Sequence, residues 1–71
     1  MTKKKIQVFI NGKKNSCWER TSLTSLLKDL NIDNDGIAIE INYSVIPKSQ
    51  YEDTIIKNND KMEIVQFIGG G

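Results

Sequence analysis

Histidine is absent from these 71 residues, and cysteine, proline and tryptophan occur once each. The first absence removes the usual general base near neutral pH and the commonest metal ligand, while a lone Cys17 permits no internal disulfide. Metal and redox chemistry are therefore disfavoured. Long apolar runs are also missing. Gly36-Ile37-Ala38-Ile39 is broken by Glu40, far short of the roughly 20 residues that cross a bilayer. No membrane partner is expected. Lys3-Lys4-Lys5 stands near the N-terminus, but alternation follows it in place of the continuous apolar core of a signal peptide. The expected setting is a reducing one, cytoplasm or plastid stroma, in which Asn42-Tyr43-Ser44 matches a glycosylation pattern only by chance.

A chain of this length buries only about 60% of its unfolded surface, enough for one modest core and too little for a deep cavity with several converging catalytic groups. The expectation is a protein that is not itself an enzyme. Net charge is +1 but unevenly spread, with six basic and one acidic side chain in residues 1–20 and four basic and eight acidic after them. That polarity fits a protein partner better than a polyanion. Phe9 and Trp18 are not embedded in a basic stripe that could track phosphates, so no nucleic acid is expected.

What the sequence does have is clear periodicity. From Ile6 to Asn11 apolar and polar residues alternate, with Ile6, Val8 and Ile10 on one face and Phe9 on the other. Asn11-Gly12 is a strong hairpin signal, because both residues tolerate positive φ, and a second strand from about Lys14 to Trp18 should fold back on the first. Thr21 or Ser22 can cap a helix of about nine residues whose Leu23, Leu26, Leu27 and Leu30 form one apolar stripe. Asn31 is a plausible helix end, and Asp33-Asn34-Asp35-Gly36 reads as a turn. Alternation resumes from Ile37 to Ile41, Val45-Ile46-Pro47 gives a short edge segment, Asn58-Asn59-Asp60 makes a turn, and a last strand runs from Lys61 to Ile68. The order ββαβββ is an α+β pattern, a single domain over residues 1–68 followed by the glycine tail 69–71.

Gly69-Gly70-Gly71 cannot serve packing, since glycine buries no side chain and loses the most entropy on ordering. A flexible, side-chain-free thread of this kind suits entry into a partner's narrow active site. A terminal carboxylate, with an unperturbed pKa of about 3.3–3.7, is anionic at neutral pH and needs no base to attack the α-phosphorus of ATP. The Mg²⁺ and basic groups that such a step requires are not evident in this chain and must come from an activating enzyme.

The ββαβββ order with its terminal diglycine resembles the ubiquitin-like β-grasp sulfur carriers, and within them the ThiS family. The stretch Ile41-Asn42-Tyr43-Ser44-Val45-Ile46-Pro47-Lys48-Ser49-Gln50-Tyr51 is similar to that family's Ile-Asn-x-x-x-Val-Pro-Arg-x-x-Trp, and Asp60, Met62, Ile64, Gln66, Phe67 and Ile68 before the glycines resemble its last strand. Lys48 and Tyr51 replace the family's common Arg and Trp. The resemblance spans essentially the whole chain. It implies a mixed sheet with one main helix packed on one face, and a Gly71 carboxylate that is adenylated and then converted to a thiocarboxylate, with Gly70 beside it. It further implies that the carrier binds no cofactor and that the partner consumes ATP. The implied partners are a ThiF-type adenylyltransferase, a sulfur donor such as a cysteine desulfurase system, and thiazole synthase as sulfur acceptor.

Strand parity adds a docking face. With Ile6, Val8, Ile10, Met62 and Ile64 towards the helix, Phe9, Val65 and Phe67 lie outside. Together with Ile68 and Gly69 they form the expected partner-binding surface, with Phe9 and Phe67 as neighbours if the first and last strands pair. Weaker signals remain. Asn31, Asp33, Asp35 and Gly36 match the start of an EF-hand loop, but Asn42 replaces its bidentate Glu. Cys17 reads as a small core or edge residue and Trp18 as partly buried packing. The competing functions are a molybdopterin-type or tRNA-thiolation carrier using the same diglycine, and a β-grasp binding module whose Gly71 is inert.

Overall fold

A computed structural model of the chain describes residues 2–67. Five strands form one sheet in the order β2-β1-β5-β3-β4: β1 is Lys5–Ile10, β2 Lys13–Trp18, β3 Ile37–Ile41, β4 Ser44–Ile46 and β5 Asp60–Gln66. One helix, α1 at Leu23–Asp29, and a short 3-10 turn at Lys48–Gln50 complete it. The expected ββαβββ order is present. β1 and β5 are parallel and all other pairs antiparallel, which makes the sheet mixed.

The local chemistry explains the elements. Asn11 and Gly12, with φ of 50° and 82°, form the two-residue β1–β2 turn, and paired positive φ values match the right-handed twist of the strands they join. Ser22 caps α1 by accepting a hydrogen bond from the Ser25 N–H at 3.1 Å. At the other end Asn31 adopts φ 58°, its N–H donates to the Lys28 carbonyl, and the Ile32 N–H donates to the Leu27 carbonyl. This is a Schellman closure. It stops the helix at Asp29, so Leu30 becomes the capping residue and is 36% exposed instead of completing the leucine stripe.

Val8, Leu23, Leu27, Ile39, Ile56 and Met62 are the largest fully buried side chains, and Leu26, Ile41, Cys17 and Tyr51 join them in one core between helix and sheet. Each fully buried aliphatic contributes about 1.5–3 kcal/mol relative to exposure. The irregular segment after the 3-10 turn supplies Tyr51 and Ile56. It is held to the start of α1 by the Leu23 N–H to the Thr54 carbonyl at 2.7 Å and the Ile56 N–H to the Thr21 carbonyl at 2.9 Å. Asp60 is buried but satisfied, its carboxylate accepting from Asn42 Nδ2 and from the Lys57 N–H.

Three expectations need correction or qualification. Trp18 falls on the outer face of β2, opposite the buried Cys17, and is 49% exposed with Lys5 Nζ 5.2 Å from its ring centre. Its contribution is an exposed cation–π contact more than core packing. β5 starts one residue earlier than expected, at Asp60, and its described strand ends at Gln66. Ile68, Gly69, Gly70 and Gly71 lie outside the described residues, and with them the expected boundary between domain and tail.

Candidate functional site

The site is the end of β5 that leads into the glycines, together with the surface around it. β5 lies between β1 and β3 in the sheet, so its direction is set from both sides. Along β3 the pairs are Ile41 with Met62, Glu40 with Glu63, Ile39 with Ile64, Ala38 with Val65 and Ile37 with Gln66. The last tie on that side is the Phe67 N–H, which donates to the Gly36 carbonyl at 2.8 Å. Gly36 itself has φ 72°, a conformation that favours glycine and turns the preceding loop into β3 beside the chain's exit.

Parity places the apolar outer residues as the alternation predicts. Met62 is buried and Ile64 half-buried on the helix side, while Val65 is 54% and Phe67 61% exposed on the other. Val45, which pairs with Glu40 on the neighbouring strand, adds a further exposed aliphatic to the same face. The sequence reading missed it, although Ile46 pointing inward fixes Val45 outward.

Phe9 does not join this patch. β1 runs parallel to β5 with Phe9 opposite Lys61, and Phe67 is six residues further on, about 20 Å at 3.3 Å per residue. The first and last strands do pair, the condition on which Phe9 and Phe67 were expected to be neighbours, yet the two residues stay apart because the hairpin turns β1 away after Ile10. Phe9 is instead half-buried in a niche of about 170 Å³ bounded by Gly12, Lys61, Met62 and Glu63. A larger open depression of about 510 Å³ runs along β1 and β2 between Lys5, Gln7, Lys14 and Asn58, at the opposite side from the Phe67 exit.

Electrostatics near the exit are modest. Lys48 Nζ reaches the Asp35 carboxylate at 2.8 Å and ties the loop before β3 to the turn after β4. The Lys48 hydrogen bond, reinforced by its charge, holds the Asp35 carboxyl below the usual range, and the same hydrogen bond raises the Lys48 ammonium. Both side chains are well exposed, and such pairs contribute little to stability. Cys17 is buried. Burial pushes its thiol up, with the Thr21 hydrogen bond opposing and the Asp29 and Asp60 charges adding slightly. A thiol so placed stays protonated at neutral pH and is a poor nucleophile.

The ThiS family model matches residues 8–71. The chain is 41% identical over 71 residues to the uncharacterized protein ycf40 of Porphyra purpurea, covering 100% of both. It is 27% identical over 66 residues to the sulfur carrier protein ThiS of Escherichia coli, covering 93% of this chain and 100% of that one. It is also 36% identical over 66 residues to a thiazole synthase of Paramagnetospirillum magneticum, covering 93% of this chain but only 20% of that protein. The crystal structure of the thiamine biosynthesis protein ThiS from Geobacter metallireducens superposes with a TM-score of 0.80 at 28% identity, over 93% of this chain and 100% of that one. The fold is thus the ubiquitin-like β-grasp.

Proposed function

Since the chain belongs to the ThiS family, the sulfur carriers of thiamine biosynthesis, we propose that Gly71 carries the sulfur as a terminal thiocarboxylate. The observation that carries this reading is the reach of the family match, which runs through residue 71 and therefore includes all three glycines. The carboxylate oxygen attacks the α-phosphorus of ATP, the bond to pyrophosphate breaks, and an acyl-adenylate forms. A hydrosulfide then adds to the Gly71 carbonyl carbon and AMP leaves, taking the C–O electron pair. With a persulfide donor the product is an acyl disulfide, which a thiol must reduce by two electrons. The charge stabilisation for adenylation comes from a ThiF-type partner, and the carrier acts as its co-substrate.

Thiazole synthase is the proposed sulfur acceptor. Matching segments occur inside two much longer proteins of that name, of which this chain spans 20% each. Joining a carrier to its acceptor in one polypeptide raises their effective concentration. Val65 and Phe67 beside the exit supply an apolar surface for these partners, with Val45 on the same face level with Glu63 and Phe9 in a separate niche.

The reading is tested by ATP–pyrophosphate exchange with the cognate activating enzyme. Full-length protein should support exchange and a variant lacking Gly71 should not, while both melt at the same temperature. Exchange by the truncated chain would overturn it.

A further inference from the structure

The parallel pairing of β1 with β5 ends at Ile10 and Met62. Asn11 still donates its backbone N–H to the Met62 carbonyl at 2.9 Å, then the main chain turns away towards β2. Its side chain continues where the backbone stops. Asn11 Oδ1 accepts from the Ile64 N–H at 2.7 Å, and Asn11 Nδ2 donates to the Ile64 carbonyl at 3.2 Å. The primary amide thus replaces one further backbone pair of the ladder. Among the described residues these are the last hydrogen bonds that β5 receives from the β1 side before Phe67.

From this geometry we infer that Asn11 is a positioning residue for sulfur carriage: its side-chain amide fixes where the tail-bearing end of β5 leaves the sheet. The inference rests on the carrier reading above. The hairpin alone does not explain the residue. A two-residue turn with positive φ accepts Gly or Asp at its first position equally well, but only Asn offers both an acceptor for the Ile64 N–H and a donor for its carbonyl. Without the clamp, β5 beyond Met62 is held by β3 alone. A partner must then restrict that segment as it takes the tail, and ordering backbone costs free energy. The cost falls on binding, while the bound carboxylate reacts as before.

The experiment uses the full-length carrier, its activating enzyme and ATP, with exchange measured against carrier concentration, and amide hydrogen exchange measured on the carrier alone. Asn11→Gly keeps the turn and loses both bonds, Asn11→Asp keeps the acceptor and loses the donor, and Asn31→Gly alters a positive-φ residue at the helix end. Asn11→Gly should raise KM about fivefold to tenfold with kcat within about twofold, and the Ile64 amide should exchange at least about tenfold faster while that of Ile39 does not change. Asn11→Asp should give an intermediate KM, and Asn31→Gly the wild-type KM. A wild-type KM in both Asn11 variants, or a fall in kcat at fixed KM, would overturn the assignment. A wild-type chain that supports no exchange would instead sink the carrier reading, and unchanged Ile64 amide exchange in Asn11→Gly would sink the clamp on its own.

Discussion

Phe67 and Gly36 are joined by a single backbone hydrogen bond of 2.8 Å, and that bond orients an aromatic ring outward at the last described residue before the glycines. The ring contributes little to the fold, because most of it remains in water. Phe67→Asp should therefore change folding stability by no more than about 0.5 kcal/mol. Binding to the activating enzyme should weaken by at least about 2 kcal/mol, as expected for an aromatic anchor replaced by a desolvated charge. Calorimetric titration and a melting curve on the same sample separate the two. Normal binding by a folded variant would place the interface elsewhere.

Leu27 is 2% exposed between α1 and the sheet. Leu27→Ala removes its buried methyl groups and leaves a cavity, at a cost of about 2–5 kcal/mol. For a domain of this size that lowers the melting temperature by at least about 8 °C. A smaller drop would mean that the helix relaxes into the space.

Tyr43 sits at the second position of the β3–β4 turn with φ 70°, and 86% of its surface is exposed. A side chain in that conformation costs roughly 1–2 kcal/mol, partly offset by the lower unfolded-state entropy of any residue other than glycine. Tyr43→Gly should accordingly raise stability by about 0.5–1 kcal/mol, read as a higher denaturant midpoint. Loss of stability would show that the ring makes contacts worth more than the strain.

Cys17 predicts a pH dependence. Its thiol is raised above the ordinary value of 9.0 in the folded protein, chiefly by burial. Above that ordinary value the unfolded chain loses the proton while the folded chain keeps it, so this component of stability is present at neutral pH and is lost as pH rises through the folded value. Between pH 8 and pH 10 wild type should lose more stability than Cys17→Ala. Equal slopes in the two proteins would contradict the assignment.

Much of this was legible in the sequence, and for identifiable reasons. Period-2 alternation placed Val8, Met62 and Ile64 inside and Val65 and Phe67 outside, and Asn11-Gly12 announced the first hairpin. What stayed hidden depends on register or on side chains acting as backbone. No alternation reveals that Phe9 lies opposite Lys61, which is what separates it from Phe67. The turn at Asn42 and Tyr43 was invisible because tyrosine is unfavourable there. Ile56 lies in no periodic segment, yet it is 1% exposed. Asn11's second role needed the position of Ile64, 53 residues away.

Sulfur carriage by Gly71 is read directly by intact-mass spectrometry. Full-length protein incubated with its activating enzyme, ATP and sulfide, alongside a sample lacking ATP, should gain about 16 Da as one carboxylate oxygen is replaced by sulfur. The gain should map to the C-terminal peptide and vanish without ATP. An unchanged mass with an enzyme proven active on its own carrier would contradict sulfur carriage by Gly71.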